Sequence, residues 1–376
     1  MQFKEVINHP GVKKHLISLF HSGRMPHALL FLGKEGVGGL PMAIAFAQYI
    51  FCDNKSEDDS CGQCSSCLKI AKLMHPDLHF TFPTIGAKPN LSRNYLPQFR
   101  DFVRQSPYAG SFDWLQSIQA ENKQGNISAD ECRDIIDRLN LTAFESGYKI
   151  QVIWRPEYLG KEGNILLKLI EEPPDNTLIF LVAENEEDIL NTILSRTQKI
   201  MLPPLSAKDI ATALRQRLSV EERRAMQIAQ VSDNSYAKAL FIYHNSGQND
   251  WMPVLRDWFN AIFTFSPLLT NAWVDDMAKN GREQQKHFLI FAQQMLNHVL
   301  RLTLVPGSKL PLIEEELDFA RKLAKRQLPF PVFEHMQEAI QKAVYHIERN
   351  AHAKTQLLFL SLQMQYLIKG EKLETV

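Results

Sequence analysis

No charge of either sign is in excess in this 376-residue sequence, where 42 lysines and arginines face 42 aspartates and glutamates. That balance excludes a polycation that grips nucleic acid unaided, and it excludes a supercharged tail. The chain opens Met1-Gln2-Phe3-Lys4-Glu5, without the basic and apolar stretches of an export leader. No apolar run approaches the roughly 20 residues that span a membrane. The expectation is a cytoplasmic protein with no membrane contact. Cysteines are also few, 5 in all, yet four of them crowd between Cys52 and Cys67. Without a leader, that crowding points to metal or redox chemistry rather than a disulfide framework. With 45% hydrophobic and 22% charged residues the composition is globular, and the length suits two or three domains.

From residue 28 to about 200 the pattern alternates strand and helix. Ala28 to Leu32, Ile150 to Trp154 and Leu178 to Ala183 are continuous apolar runs, as strands buried on both faces require. Asn164 to Ile170 reads as a helix stopped by Pro173-Pro174. Ser128 with Glu131 reads as a capping box opening a helix whose apolar stripe is Cys132, Ile135, Ile136 and Leu139. Alternating strands and helices imply a parallel α/β sheet. After Pro203-Pro204 the strand signals fade: 206 to 245 reads as a small helical unit and 250 to 370 as long amphipathic helices, with Val332, Met336, Ile340, Ala343, Val344 and Ile347 at helical spacing. Residues 80 to 126 read as an insertion of no evident structure. The expected domains are 1–203, with the cysteine module at 52–67 and the insertion inside it, then 204–248 and 249–376.

Between the first strand and the next helix lies Gly33-Lys34-Glu35-Gly36-Val37-Gly38-Gly39-Leu40, where a phosphate-binding loop belongs. A working loop ends in lysine, which reaches the β and γ phosphates, and in a hydroxyl that ligates magnesium. Gly39 and Leu40 stand in those two places, and Lys34 would have to curl back from the loop's start to compensate. The strand that should end in paired acids reads Val152-Ile153-Trp154-Arg155-Pro156-Glu157, and Glu157 beyond the proline reads as a surface carboxylate. Two separate catalytic elements lack their chemistry, so hydrolysis of ATP by this chain is not expected, and no nucleotide-binding residue is assigned among Gly33, Gly36, Gly38 and Gly39.

Cys52, Cys61, Cys64 and Cys67 give C-x8-C-x2-C-x2-C, a spacing that suits tetrahedral zinc with all four positions closed, hence a structural Zn2+. Four reduced thiols or a redox-active C-x-x-C are the alternatives. His75 and His79 read as loop histidines and Cys132 as a core residue. Asp53, Glu57, Asp58 and Asp59 make the module acidic, which weighs against a zinc ribbon that binds phosphate. Arg196, in Thr192-Ile193-Leu194-Ser195-Arg196-Thr197, ends a short helix and could face out of its domain.

Taken together, the degenerate glycine loop, the four-cysteine insert, Asn164 to Pro174 with its L-L-K and E-E-P-P, and Thr192 to Arg196 resemble bacterial clamp-loader subunits of the AAA+ class. The resemblance is dense over residues 1 to 240, excluding the insertion at 80 to 126, and weaker beyond, where Arg349-Asn350 precedes the final helix. It implies an AAA+ module, a helical lid and a helical collar that joins a five-subunit ring. It further implies a noncatalytic subunit working with gamma/tau-type ATPase subunits, a delta-type subunit, the sliding clamp and primed DNA. Arg196 then matches the arginine of a Ser-Arg-Cys motif that reaches a neighbour's ATP, with Thr197 in place of the cysteine. Lys238 matches the lid's nucleotide-sensing arginine. An active gamma/tau-like ATPase and a zinc-containing nucleic-acid adaptor are the rival readings.

Overall fold

The structure is a computed structural model that describes all residues except 24, 87–90, 121–124, 146, 246–250, 306, 309, 311, 313, 349–350 and 371–376, and the side chains of 245, 283, 287 and 348. The chain forms two compact units, Met1–Ile242 and Tyr243–Val376.

In the first unit, α1 (Pro10–His21) precedes β1 (Ala28–Leu32), α2 (Gly39–Phe51), α3 (Ser65–Ala71), β2 (Leu78–Thr81), α4 (Leu96–Gln105), α5 (Ser111–Ser117) and α6 (Ala129–Leu139). There follow β3 (Lys149–Trp154), α7 (Leu167–Glu171), β4 (Thr177–Ala183), α8 (Asn191–Leu194) and β5 (Gln198–Met201). The five strands form one parallel sheet in the order β2-β3-β4-β1-β5. The apolar runs are unbroken because alternate residues feed two cores. Leu29, Phe31, Val152, Phe180 and Val182 pack with α2 on one face, while Ala28, Leu30, Ile153, Ile179 and Leu181 pack with α6 on the other. This is the AAA+ arrangement that the resemblance implies. Cys132 is fully buried in the second of these cores, as its place on the apolar stripe requires.

The helix read at Asn164 to Ile170 stops before Pro173 as expected, though it starts as 3-10: a 3-10 segment spans Pro156–Leu166, kinked at Gly160 (φ 49°, ψ −134°), and α7 takes over at Leu167. Gly163 in that segment packs closely, since a Cβ there would sit 3.0 Å from Ile193 Cδ1. Two local expectations need correction. Half of the capping box is present, with Glu131 N donating to Ser128 Oγ (3.2 Å). The Glu131 carboxylate, itself buried, is taken up by Thr81 Oγ1 (2.6 Å) and Ser92 N (2.7 Å), tying α6 to β2 and the segment after it. Residues 80 to 126 are likewise not a featureless insertion. Phe80 and Thr81 complete β2, and α4 stacks Phe99 on Phe82 at 3.9 Å between ring centroids while α5 sets Trp114 edge-on to it at 5.0 Å.

Helices α9 (Ala207–Leu218), α10 (Glu222–Val231) and α11 (Tyr236–Asn245) follow the sheet. Helix α9 opens with a complete capping box, Ser206 with Asp209. The second unit holds α12 (Trp251–Thr264), α13 (Pro267–Ala278), α14 (Arg282–Leu304), α15 (Glu314–Ala324), α16 (Phe330–Glu348) and α17 (Ala353–Lys369). Met336, Ile340, Ala343 and Ile347 are buried from α16 with Leu357 and Leu360 of α17, while Val332 and Val344 are partly buried at the edge of that core. Trp258 stacks on Trp273 at 5.0 Å and donates Nε1–H to Ser361 Oγ (2.9 Å), which satisfies its one polar atom inside the bundle. The expected boundary at Gln248 and the Arg349-Asn350 pair lie outside the described residues. Among the described residues no helix is long and apolar enough to cross a membrane.

Candidate functional site

The glycine loop leaves the C-terminal end of β1 and turns into α2. Gly36 and Gly38 adopt φ of 80° and 105°, a backbone region that only glycine enters freely, and this explains the residue type at both positions. The space above them is filled by the chain itself. A Cβ on Gly38 would lie 2.9 Å from the Tyr108 ring, and one on Gly36 would meet Ser235 Oγ and lie 2.9 Å from Ala237 N. Tyr236 N donates to Gly36 O (3.1 Å), so the start of α11 is bonded to the loop. The cavity left over is about 30 Å³, room for one or two water molecules, and its lining includes Lys34, Gly38, Gly39, Tyr108, Trp154 and Arg155.

At the end of β3 the place of the acid pair is equally occupied. Trp154 lies 5.7 and 6.0 Å from Phe99 and Phe102. Arg155 takes φ of 64° and pairs with Glu184. Glu157 departs from the surface role expected of it. Its side chain is only 8% exposed, Oε1 accepts from Glu184 N (2.7 Å) and Asn185 N (3.2 Å), and burial holds its carboxyl above the usual range. It braces the segment after β4 rather than meeting solvent.

The four cysteines come together as their spacing predicts, with all four sulfurs within 4.8 Å of one another. Tetrahedral zinc with Zn–S of about 2.3 Å requires sulfurs about 3.8 Å apart, and Cys61 and Cys67 stand at 3.9 Å. The N–H groups of Gln63 and Cys64 point at Cys61 Sγ (3.4 and 3.3 Å) and pull its thiol down to about 6, whereas burial pushes Cys52 and Cys67 up. Gly62, at φ 73°, makes the tight turn between Cys61 and Cys64. The donor set fits a closed zinc site. His75 stacks on Phe51 and is buried, and His79 lies on β2 rather than in a loop; neither is among the clustered ligands.

Arg196 sits in the turn between α8 and β5, with 35% of its side chain exposed. Its Nε donates to Glu171 and its Nη1 to Thr192 O (2.8 Å) and Ser195 Oγ (3.2 Å). Since β5 runs parallel to β1, with Leu29 opposite Gln198, Arg196 enters the sheet at the end opposite the glycine loop. Four residues of strand separate the two ends by on the order of 13 Å, so this arginine is out of reach of its own chain's loop. Lys238 is paired with Asp233 at 3.0 Å.

A feature with no sequence signal is the strap formed by residues 2 to 9. Asp59, beside the cysteine module, accepts from Phe3 N (2.9 Å) and Lys4 N (3.0 Å). Ile7 N donates to Tyr108 Oη (2.8 Å), and His9 Nε2 bonds Val37 O inside the loop (2.9 Å). Asn8 reaches Asp209 (2.8 Å), and Arg217 of α9 bonds Glu5 O while lying 5.4 Å from both the Tyr108 and Tyr236 rings. These partners are distant in sequence, so no local pattern announces them.

The strand order and the glycine loop at the end of β1 define a parallel α/β chain with Tyr108 and Ser235 packed against that loop. A family model described as "DNA polymerase III, delta subunit" matches residues 8–206, more than half of the chain, and the chain belongs to that family. It is 28% identical over 226 residues to DNA polymerase III subunit delta' of Bacillus subtilis, covering 60% of this chain and 56% of that protein. It is 24% identical over 231 residues to subunit delta' of Escherichia coli, covering 61% and 58%. Subunit tau of B. subtilis is similar too, 24% identical over 245 residues, covering 64% of this chain and 36% of that protein. The chain thus spans less than two thirds of the length of these relatives.

Proposed function

We propose that this chain is the delta-prime-like, noncatalytic subunit of a DNA polymerase III clamp loader, acting in the cytoplasm with gamma/tau ATPase subunits and a delta subunit to load the sliding clamp onto primed DNA. The observation that carries the reading is the crowding of the loop: Tyr108 packs at Gly38 and Ser235 at Gly36, leaving a cavity of about 30 Å³ beside them. A loop so occupied favours a delta-prime-like part over the gamma/tau-like one, although relatives of both kinds are similar in sequence. In this reading residues 204–248 are the lid, 249–376 the oligomerising collar, and Cys52, Cys61, Cys64 and Cys67 hold a structural Zn2+.

Arg196 supplies the one catalytic contribution, a guanidinium that meets the charge developing on the γ-phosphate in a neighbour's site. Its position at the opposite end of the sheet from the chain's own loop supports action in trans. The test is co-purification of the full chain with a gamma/tau-type ATPase and a delta-type subunit, followed by ATP turnover with primed DNA. A complex forms, and Arg196→Ala preserves it while slowing hydrolysis at the adjacent site by about three decades. Failure to form a complex overturns the reading, and unchanged turnover overturns the trans role. Titration of the isolated chain with Mg-ATP, expected to give no heat, separates this reading from an active ATPase.

A further inference from the structure

The Glu171-Glu172-Pro173-Pro174 segment has a role that the filled loop and the collar leave unexplained. Pro173 disfavours a helical conformation at Glu172, which takes φ of −130° and ψ of 69°, so α7 ends at Glu171. Leu169 and Ile170 anchor α7 in the core, and Ile193 anchors α8 in the same core. Two short elements, each pinned by buried apolar residues, therefore bring Glu171 and Arg196 face to face. The guanidinium is a planar fork with five N–H donors. Glu171 takes Nε, and Thr192 O with Ser195 Oγ takes Nη1, while Nη2 meets no acceptor among the described residues. An arginine restrained on its inner edge with Nη2 free is prepared for an incoming phosphate oxygen.

We infer that Glu171 is a positioning residue for Arg196, holding the guanidinium plane so that Nη2 is offered to the phosphate of a neighbouring subunit. The inference rests on the trans role proposed above. Half-exposed ion pairs contribute little to stability, so the effect belongs in turnover and not in melting.

The experiment uses the full chain reconstituted with its gamma/tau-type and delta-type partners, Mg-ATP and primed DNA, and compares Glu171→Ala, Glu171→Gln and Arg196→Ala. Glu171→Ala lowers kcat roughly three- to tenfold, as expected for a misdirected positioning contact, and leaves KM for ATP and the melting temperature of the isolated chain unchanged. Glu171→Gln restores most of the rate, because the amide Oε1 still accepts from Nε. If Arg196→Ala slows turnover but Glu171→Ala does not, or speeds it, the positioning role is overturned and the trans role stands. A Gln variant no better than Ala also overturns it. If Arg196→Ala is itself silent, the proposed function fails first.

Discussion

The two ends of the sheet contrast sharply. At the C-terminal end of β1 a glycine loop with the backbone of a phosphate cradle is packed shut by Tyr108, Ser235 and Tyr236. At the N-terminal end of β5, Arg196 keeps a third of its side chain in solvent and one nitrogen unengaged. The shape of the loop depends on backbone dihedrals, which do not require the lysine and hydroxyl of a working loop, because α2 still needs a start and β1 still needs an end. The proposed trans role puts the outward-facing end under a different constraint, since its geometry would have to suit a neighbouring subunit. In that reading one end of the sheet is closed by the chain itself and the other is offered to others.

That separation is open to direct attack. The largest expected effect is at the open end: Arg196→Ala costs about 4 kcal/mol of transition-state stabilisation in the neighbouring site, read as single-turnover hydrolysis in the assembled complex. Next comes the cysteine module. The purified chain is expected to carry one zinc per molecule by metal analysis, and Cys64→Ser or chelation is expected to lower stability by several kcal/mol. Because Asp59 ties the module to the strap, amide exchange should rise at residues 3 to 9 and around Tyr108 while the turn at Arg196 stays protected as before. Equal loosening at both ends would break the comparison.

A smaller effect concerns pH. Burial lowers the pKa of His9, whose Nε2–H donates to Val37 O and whose Nδ1 is buried without a partner. A depressed folded pKa means that the neutral form is the one accommodated. Its contribution is present above the ordinary value of 6.5 and is lost as pH falls through the folded value. Urea unfolding should therefore show falling stability as pH drops below 6.5. His9→Asn removes that dependence, since asparagine tolerates the residue's left-handed backbone and its amide can still donate. The smallest expected effect is none: Gly39→Lys with Leu40→Thr writes the missing loop residues back in, and calorimetry with Mg-ATP should still show no binding. Binding by that double variant would show that chemistry alone, and not occupancy, silences the loop.

Much of this was legible from the residues. Unbroken apolar runs at 28–32, 150–154 and 178–183 announce buried parallel strands, because each residue finds a core on one face or the other. The spacing of Cys52, Cys61, Cys64 and Cys67 announces its cluster because short intervals leave few other ways for four thiols to meet. The absent lysine and acids could be read directly. What could not be read is what replaced them. Tyr108 and Ser235 reach the loop from about 70 and 200 residues away, a relation that only tertiary packing creates. Glu157 looked superficial because a proline precedes it, yet backbone N–H groups from the far side of β4 draw it inside. The 3-10 start of the helix expected at 164–170, beside a Gly163 whose Cβ would crowd Ile193, leaves no mark in helical periodicity.

Arg155, at the end of β3 and paired with Glu184, lines the small cavity beside the loop. A metal ion arriving with a nucleotide brings positive charge that leaves again after each cycle. A guanidinium is covalently attached and stays protonated at any physiological pH. The positive charge at this corner is therefore a permanent part of the chain and needs no visiting ion to supply it.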